Sequence, residues 1–158
     1  MLKKVLITGG AGFIGSHIVD KLLENNYSVA VLDNLSSGSK NNLQKSDKIK
    51  LYQVNIEKDD LDEIFDKEKP DYVVHLAAQT SVNYSISNAY FDADMNIMAT
   101  IRLLDVCKKY NVKKFITASS AAVYGNPKYL PIYENHPTEP MSPYGLSKLT
   151  MEKYIQLS

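Results

Sequence analysis

Lys3-Lys4-Val5-Leu6-Ile7-Thr8-Gly9-Gly10-Ala11-Gly12-Phe13-Ile14-Gly15-Ser16-His17 is the stretch that decides the fold of this chain. Lys3 to Thr8 is a short apolar run of the kind that makes a buried parallel strand. A helical pattern follows, with Ile14, Ile18 and Leu22 on one side and Phe13, Val19 and Leu23 beside them. Between strand and helix lie Gly9, Gly10, Gly12 and Gly15, which satisfy both G-x-G-x-x-G and G-x-x-G-x-x-G. Glycine at these places permits a tight turn, lets backbone approach a pyrophosphate and lets the helix pack close to the strand. The helix start then offers unpaired N–H groups and a positive dipole end to phosphate. A second apolar run, Ser28–Leu32, ends in Asp33, 18 residues after Gly15. That is near the usual distance for a carboxylate receiving ribose hydroxyls, so the stretch predicts a dinucleotide site.

The bulk numbers agree with an ordinary globular domain. The chain has 158 residues, 44% hydrophobic and 23% charged, enough for one domain with a real core. Lysine plus arginine equals aspartate plus glutamate at 18 each, so charge favours neither nucleic acid nor an anionic membrane surface as partner. The single cysteine, Cys107, excludes an intrachain disulfide and sits in an apolar helical stretch, as a packed residue of a reducing compartment would. The apolar run after Lys3-Lys4 stops at Ile7, too short for a signal peptide, and no segment approaches a membrane span. The expected location is the cytoplasm.

Strand and helix alternate along the chain. Helix is expected over 12–25, strand over 28–32, a polar loop over 34–42, strand over 49–54, helix over 59–69 ended by Pro70, and strand over 71–77. A polar loop is expected over 78–87, one long helix over 88–110, a fifth strand over 113–119, a proline-rich loop, and a helix from Tyr144 to Ser158. The alternation predicts an α/β fold, a doubly wound parallel sheet with helices on both faces. The proline-rich loop is long, and long ordered loops in compact domains usually carry function.

A second constellation lies at Tyr144-Gly145-Leu146-Ser147-Lys148. Tyrosine and lysine at i and i+4 share one helix face. Free tyrosine titrates near ~10, and an ammonium one turn away favours the phenolate, as a base working at neutral pH requires. Ser119 and Ser120 end the fifth strand, at the carboxyl edge where open α/β sheets bind ligands. A hydroxyl there can hydrogen-bond both a substrate oxygen and the tyrosine.

TGGAGFIGSH at 8–17, DNLSSG at 33–38, HLAAQTSV at 75–82, Asn96, SSAAVYG at 119–125 and YGLSK at 144–148 together resemble the extended short-chain dehydrogenases/reductases. Within them the chain is most similar to nucleotide-sugar epimerases of the UDP-glucose 4-epimerase type. The resemblance implies a Rossmann-type NAD-binding domain over 1–158, continued in the family by a substrate domain that this chain does not contain. It implies NAD as cofactor, with Gly9, Gly12 and Gly15 at the pyrophosphate, Phe13 and Ile14 contacting it through backbone N–H, and Asp33 and Asn34 at the ribose. Asn55 and Ile56 would border the adenine; the family more often has aspartate at 55, and an asparagine carbonyl can still accept from the adenine amino group. Leu76, Ala77, Ala78 and Thr80 would line the cofactor cleft, with Asn96 in the helix behind it. Tyr144, Lys148 and Ser120 would be catalytic, with Tyr144 and Lys148 also touching the cofactor. No arginine follows Asp33 nearby, so NAD rather than NADP is expected. The substrate would be a UDP-sugar and the assembly a homodimer through the helices 88–110 and 144–158.

The resemblance leaves alternatives open. A decarboxylase or reductase of nucleotide sugars shares the same motifs, and a non-catalytic NAD-sensing domain shares the scaffold. Dehydratase relatives carry an Asp-Glu pair where this chain has Ala121-Ala122, so the pair needed for water elimination is missing here. His75 reads as a packed strand-end histidine, and His17 and His136 make no metal-ligand spacing with it.

Overall fold

The computed structural model describes residues 2–158. Five parallel strands, β1 (Lys4–Thr8), β2 (Ser28–Leu32), β3 (Ile49–Tyr52), β4 (Tyr72–His75) and β5 (Lys114–Thr117), form one sheet in the order β3-β2-β1-β4-β5. The chain runs outward from β1 to β3, then crosses to the other side of β1 for β4 and β5. This reversal is the switch point of a doubly wound sheet, where such folds place their ligands. Val5 pairs with Val29 on one side and Tyr72 on the other, and Thr8 with Leu32 and His75, so the carboxyl ends of the three central strands lie level.

The helices are α1 (Phe13–Glu24), α2 (Asp62–Glu68), α3 (Val82–Ser87), α4 (Ala89–Ala93), α5 (Ala99–Lys109) and α6 (Pro143–Leu157). Two compact units are present: the residues up to Ala77 together with Asp105–Ala118, and Ala78–Leu104 together with Ser119–Ser158. The first holds the sheet, whose core gathers Val5, Ile7, Val29, Val31 and Val74 against Val19 of α1. Cys107 is buried, and desolvation pushes its thiol up to about 12, so it stays protonated at neutral pH.

The elements expected from the sequence are present, with shifts that have local causes. α2 starts at Asp62 rather than Asp59 because Asp59 accepts from Asn55 N at 2.7 Å and Asp60 accepts from Asp62 N at 2.9 Å. Both carboxylates satisfy backbone outside the helix, as acidic side chains do at turns. The stretch 78–87 is not all loop. Ser81 Oγ accepts from Tyr84 N at 3.2 Å, and this cap starts α3.

The helical stretch 88–110 is not one α-helix either. Between α4 and α5 the residues Asp94–Met98 form a π turn, in which Ala99 N reaches back five residues to Asp94 O. α6 begins one residue before its expected start at Tyr144: Ser142 Oγ accepts from Gly145 N at 3.0 Å, with Pro143 at the first helical position.

Candidate functional site

In the sheet unit the glycine turn is built by close backbone approach. Gly9 has φ +68°, and a Cβ on it would lie 2.7 Å from Ala77 N; a Cβ on Gly15 would lie 2.2 Å from Gly9 O. Neither position accepts a side chain. Gly12 differs: a Cβ there would meet Gly9 O at 3.2 Å and nothing else within 4 Å among the described residues. Its backbone therefore faces open space, as approach to a bound group requires.

Gly12 makes no side-chain cap for α1, and no acid sits in the first turn. The amides of the first turn, Phe13, Ile14 and Gly15, have no intrahelical partner by geometry. Phe13 is 80% exposed and Ile14 59%. An uncapped, acid-free helix start behind a glycine turn suits an anion.

Asp33 is buried, with Oδ2 accepting from Ala11 N at 2.9 Å and Oδ1 from Leu35 N at 2.8 Å. Each oxygen keeps a lone pair for a further donor such as a ribose hydroxyl. Asn34 is exposed beside it, its Oδ1 accepting from Ser36 N at 3.0 Å. The loop 34–42 is laced onto the turn by Ser39 N and Asn42 Nδ2, both donating to Ala11 O at 3.0 and 2.8 Å.

Asn55 donates from Nδ2 to Glu57 Oε1 at 3.0 Å, which fixes the orientation of its amide. Its Oδ1 is buried without a hydrogen-bond partner, next to the buried Ile56. A buried amide oxygen left unpaired costs roughly 1–3 kcal/mol, and an adenine amino group is a donor that would satisfy it. The residues present thus fit a dinucleotide.

Thr8 organises the end of β4, a role the sequence pattern did not assign. Its hydroxyl accepts from Leu76 N and Ala77 N, both at 3.2 Å, and shares a hydrogen bond with His75 Nδ1 at 2.7 Å. His75 is therefore a packed strand-end residue, as expected, and a threonine at the strand end next to the glycines was the available signal. Leu76 and Ala77 are half-buried at the carboxyl end of β4.

The second unit holds the remaining candidates. Ala78 is half-buried and Thr80 exposed. Asn96, in the π turn, is 1% exposed and grips the backbone of Gln79 at both groups: its Oδ1 accepts from Gln79 N at 2.9 Å and its Nδ2 donates to Gln79 O at 3.0 Å. The same Nδ2 lies 3.2 Å from Asp92 Oδ1 and 3.1 Å from Ser147 Oγ. Asn96 therefore ties the loop after β4 to α6 through protein groups.

On α6, Tyr144 and Lys148 share one face and are 9% and 5% exposed. Tyr144 N donates to Ser85 Oγ of α3 at 3.1 Å, and Ser147 Oγ donates to Tyr144 O at 3.0 Å. Burial pulls the Lys148 ammonium below the usual lysine range, while the carboxylates of Glu152 and Asp92 oppose that shift. Ser120 Oγ accepts from Ala122 N at 3.2 Å, capping the 3-10 turn Ala121–Val123, and keeps its hydroxyl hydrogen to donate. Gln79, Ser85 and Asp92 were not singled out from the sequence; the i, i+4 spacing of Asp92 and Asn96 was the available sign.

The model of the GDP-mannose 4,6-dehydratase family matches residues 6–157. The UDP-glucose 4-epimerase of Mycolicibacterium smegmatis is 40% identical over 158 residues, covering 98% of this chain and 50% of that protein. Among solved structures, the UDP-glucose 4-epimerase of Thermotoga maritima with UDP-glucose superposes with a TM-score of 0.91 at 46% identity, over 98% of this chain and 50% of the other. The Thermus thermophilus UDP-glucose 4-epimerase in complex with NAD gives 0.92 at 39%, again over 98% and 50%. The chain spans about half the length of the relatives it matches. With its glycine turn, its Tyr144/Lys148 pair and this match from residue 6 to residue 157, the chain belongs to the GDP-mannose 4,6-dehydratase family of extended short-chain dehydrogenases/reductases and is similar there to UDP-glucose 4-epimerases.

Proposed function

We propose that the chain is the NAD-binding part of an enzyme that epimerises C4 of a UDP-sugar, glucose/galactose or an N-acetyl analogue, through a 4-keto sugar. The observation that carries this reading is the Tyr144/Lys148 pair, buried on one face of α6. Gly9, Gly12, Phe13, Ile14 and Gly15 would hold the pyrophosphate, Asp33 and Asn34 the ribose, Asn55 and Ile56 the adenine. Leu76, Ala77, Ala78, Thr80 and Asn96 would form or support the nicotinamide side. When bound, NAD would supply a hydride acceptor for sugar C4 and then a hydride donor to either face of the resulting 4-keto carbon.

The chain's own groups handle the proton. Tyr144 accepts it from the sugar 4-hydroxyl and returns it at the end. Lys148, one turn on, stabilises the negative charge on the tyrosine oxygen and would hold the nicotinamide ribose. Ser120 donates its free hydroxyl hydrogen to the reacting sugar oxygen. The family model bears a dehydratase's description, but Ala121 and Ala122 offer no acid or base for removing water, which favours epimerisation.

The relatives carry about as much chain again, and these 158 residues by themselves are expected to bind NAD without turnover. Incubating the whole protein with a panel of UDP-sugars, with products resolved by NMR, tests the reading. Interconversion of C4 epimers is expected, with Tyr144→Phe lowering turnover by ~10²–10⁴-fold and leaving NAD affinity unchanged. A 4-keto-6-deoxy product, loss of carbon dioxide, or full activity in Tyr144→Phe would overturn it.

The helices 88–110 and 144–158 would join two copies in the cytoplasm. Tyr90, Met98, Leu146 and Tyr154 leave 86%, 51%, 55% and 44% of their surface exposed, more apolar surface than helices serving one core need show. Sedimentation of the whole protein should give a dimer; a strictly monomeric profile at high concentration would contradict this.

A further inference from the structure

Asp92 lies in α4, is 1% exposed, and uses only one of its oxygens on neutral groups. Oδ1 accepts from Gln79 Nε2 at 2.7 Å and from Asn96 Nδ2 at 3.2 Å. Oδ2 is buried without a hydrogen-bond partner. An ionised carboxylate in this condition is costly unless a positive charge compensates it. Lys148 is the matching problem in the same unit: an ammonium 5% exposed whose side-chain contact is the thioether of Met151, at 3.9 Å.

The two are linked in space, because Asn96 joins Asp92 to Ser147, the residue before Lys148. α6 packs against α3, α4, the π turn and the 3-10 turn. The titratable groups on those elements are Tyr84 of α3, Tyr90 and Asp92 of α4, and Asp94 of the π turn; α6 itself adds Tyr144, Glu152, Lys153 and Tyr154.

We propose that Asp92 is a positioning residue of the site: one oxygen fixes the loop at Gln79 and the π turn at Asn96, and the other supplies the buried negative charge that holds Lys148 as an ammonium beside Tyr144. This rests on the reading of Lys148 given above. The carboxylates acting on Lys148 are Glu152, on its own helix, and Asp92. Because Glu152 is half-buried and Asp92 fully buried, the field of Asp92 is the less screened of the two.

The test is the ionisation of Lys148 in the 158-residue chain, read from ¹³Cε-lysine NMR against pH, with the resonance assigned by its loss in Lys148→Met. Asp92→Asn keeps an acceptor for Gln79 and Asn96, removes the charge and places an amide NH2 where Oδ2 was. It should lower the Lys148 midpoint by about one pH unit, and Glu152→Gln, whose carboxylate acts on the same ammonium, should lower it as well. An unchanged midpoint in Asp92→Asn would overturn the proposal. Should Asp92→Asn fail to fold, Asp92→Asn with Lys148→Met decides: recovery of the folded state supports charge pairing, and no recovery overturns it. Neither readout needs dinucleotide or sugar, so failure here is distinguishable from failure of the functional reading, which the sugar panel tests.

Discussion

Glu68 is a buried carboxylate, its side chain 1% exposed, held by three donors: Lys4 Nζ at 2.6 Å, Lys50 Nζ at 3.1 Å and Tyr52 OH at 2.5 Å. Burial alone would raise its pKa; hydrogen bonds from Lys4, Tyr52 and Lys50 outweigh that and bring it down to about 2. The same neighbourhood pushes the Tyr52 phenol up to about 12, first by burial and then by the carboxylate. A depressed folded value means that Glu68 stabilises the fold above its unfolded pKa, near 4.5, and that the contribution disappears as pH falls toward 2. Glu68→Gln should therefore cost on the order of 3 kcal/mol at pH 7 and much less near pH 2. Chemical denaturation at the two pH values measures this; an equal cost at both would show that packing, not charge, holds the residue.

At the level of elements, α6 is positioned at its first turn by two serines. Ser142 caps Gly145 N from the chain just before the helix, and Ser85 accepts from Tyr144 N out of α3. Ser85→Ala would leave the amide of Tyr144 buried and unpaired, at a cost of roughly 1–3 kcal/mol. In a domain of this size that lowers the melting temperature by about 2–4 °C per kcal/mol. A melt of Ser85→Ala coinciding with that of the parent would remove this tether from the description.

The same elements show what a sequence can and cannot reveal. The glycine turn and the strands were legible because glycine and apolar runs each have one strong local meaning; α6 was expected from Tyr144 on, and its Ser142 cap came only with the structure. The π turn was not, because Met95, Ile97 and Met98 give the same apolar pattern whether Ala99 N bonds Met95 O or Asp94 O. α3 was hidden in a polar stretch, since its start depends on one hydroxyl, that of Ser81. The catalytic candidates were visible as a motif. Among their supports and those of the glycine turn, Thr8 and Ser85 act through contacts across 59 to 69 residues of chain, and Gln79 and Asp92 through a side-chain contact 13 residues apart, which no local pattern encodes.

On the scale of the whole molecule, the sheet brings the glycine turn, Asp33 and the end of β4 to one edge, where the strand order reverses at β1 and β4. β5 is the sheet's edge strand on that side, with Ile116 46% exposed, an open row of backbone groups available for pairing. Within the described residues, no helix is long and apolar enough to cross a membrane. Everything functional in the first unit converges on a dinucleotide: an uncapped helix start, a carboxylate with lone pairs to spare and an unpaired amide oxygen at Asn55. On the proposed reading Asp33 would set the choice between cofactors, since a ribose 2′-hydroxyl can donate to it and a 2′-phosphate is repelled. Calorimetric titration of NAD and of NADP into the 158-residue chain tests this most directly. NAD should bind at least ~10-fold more tightly than NADP, a difference of about 1.4 kcal/mol or more, and Asp33→Ala should erase the preference. Equal or tighter binding of NADP, or no binding of either, would contradict it.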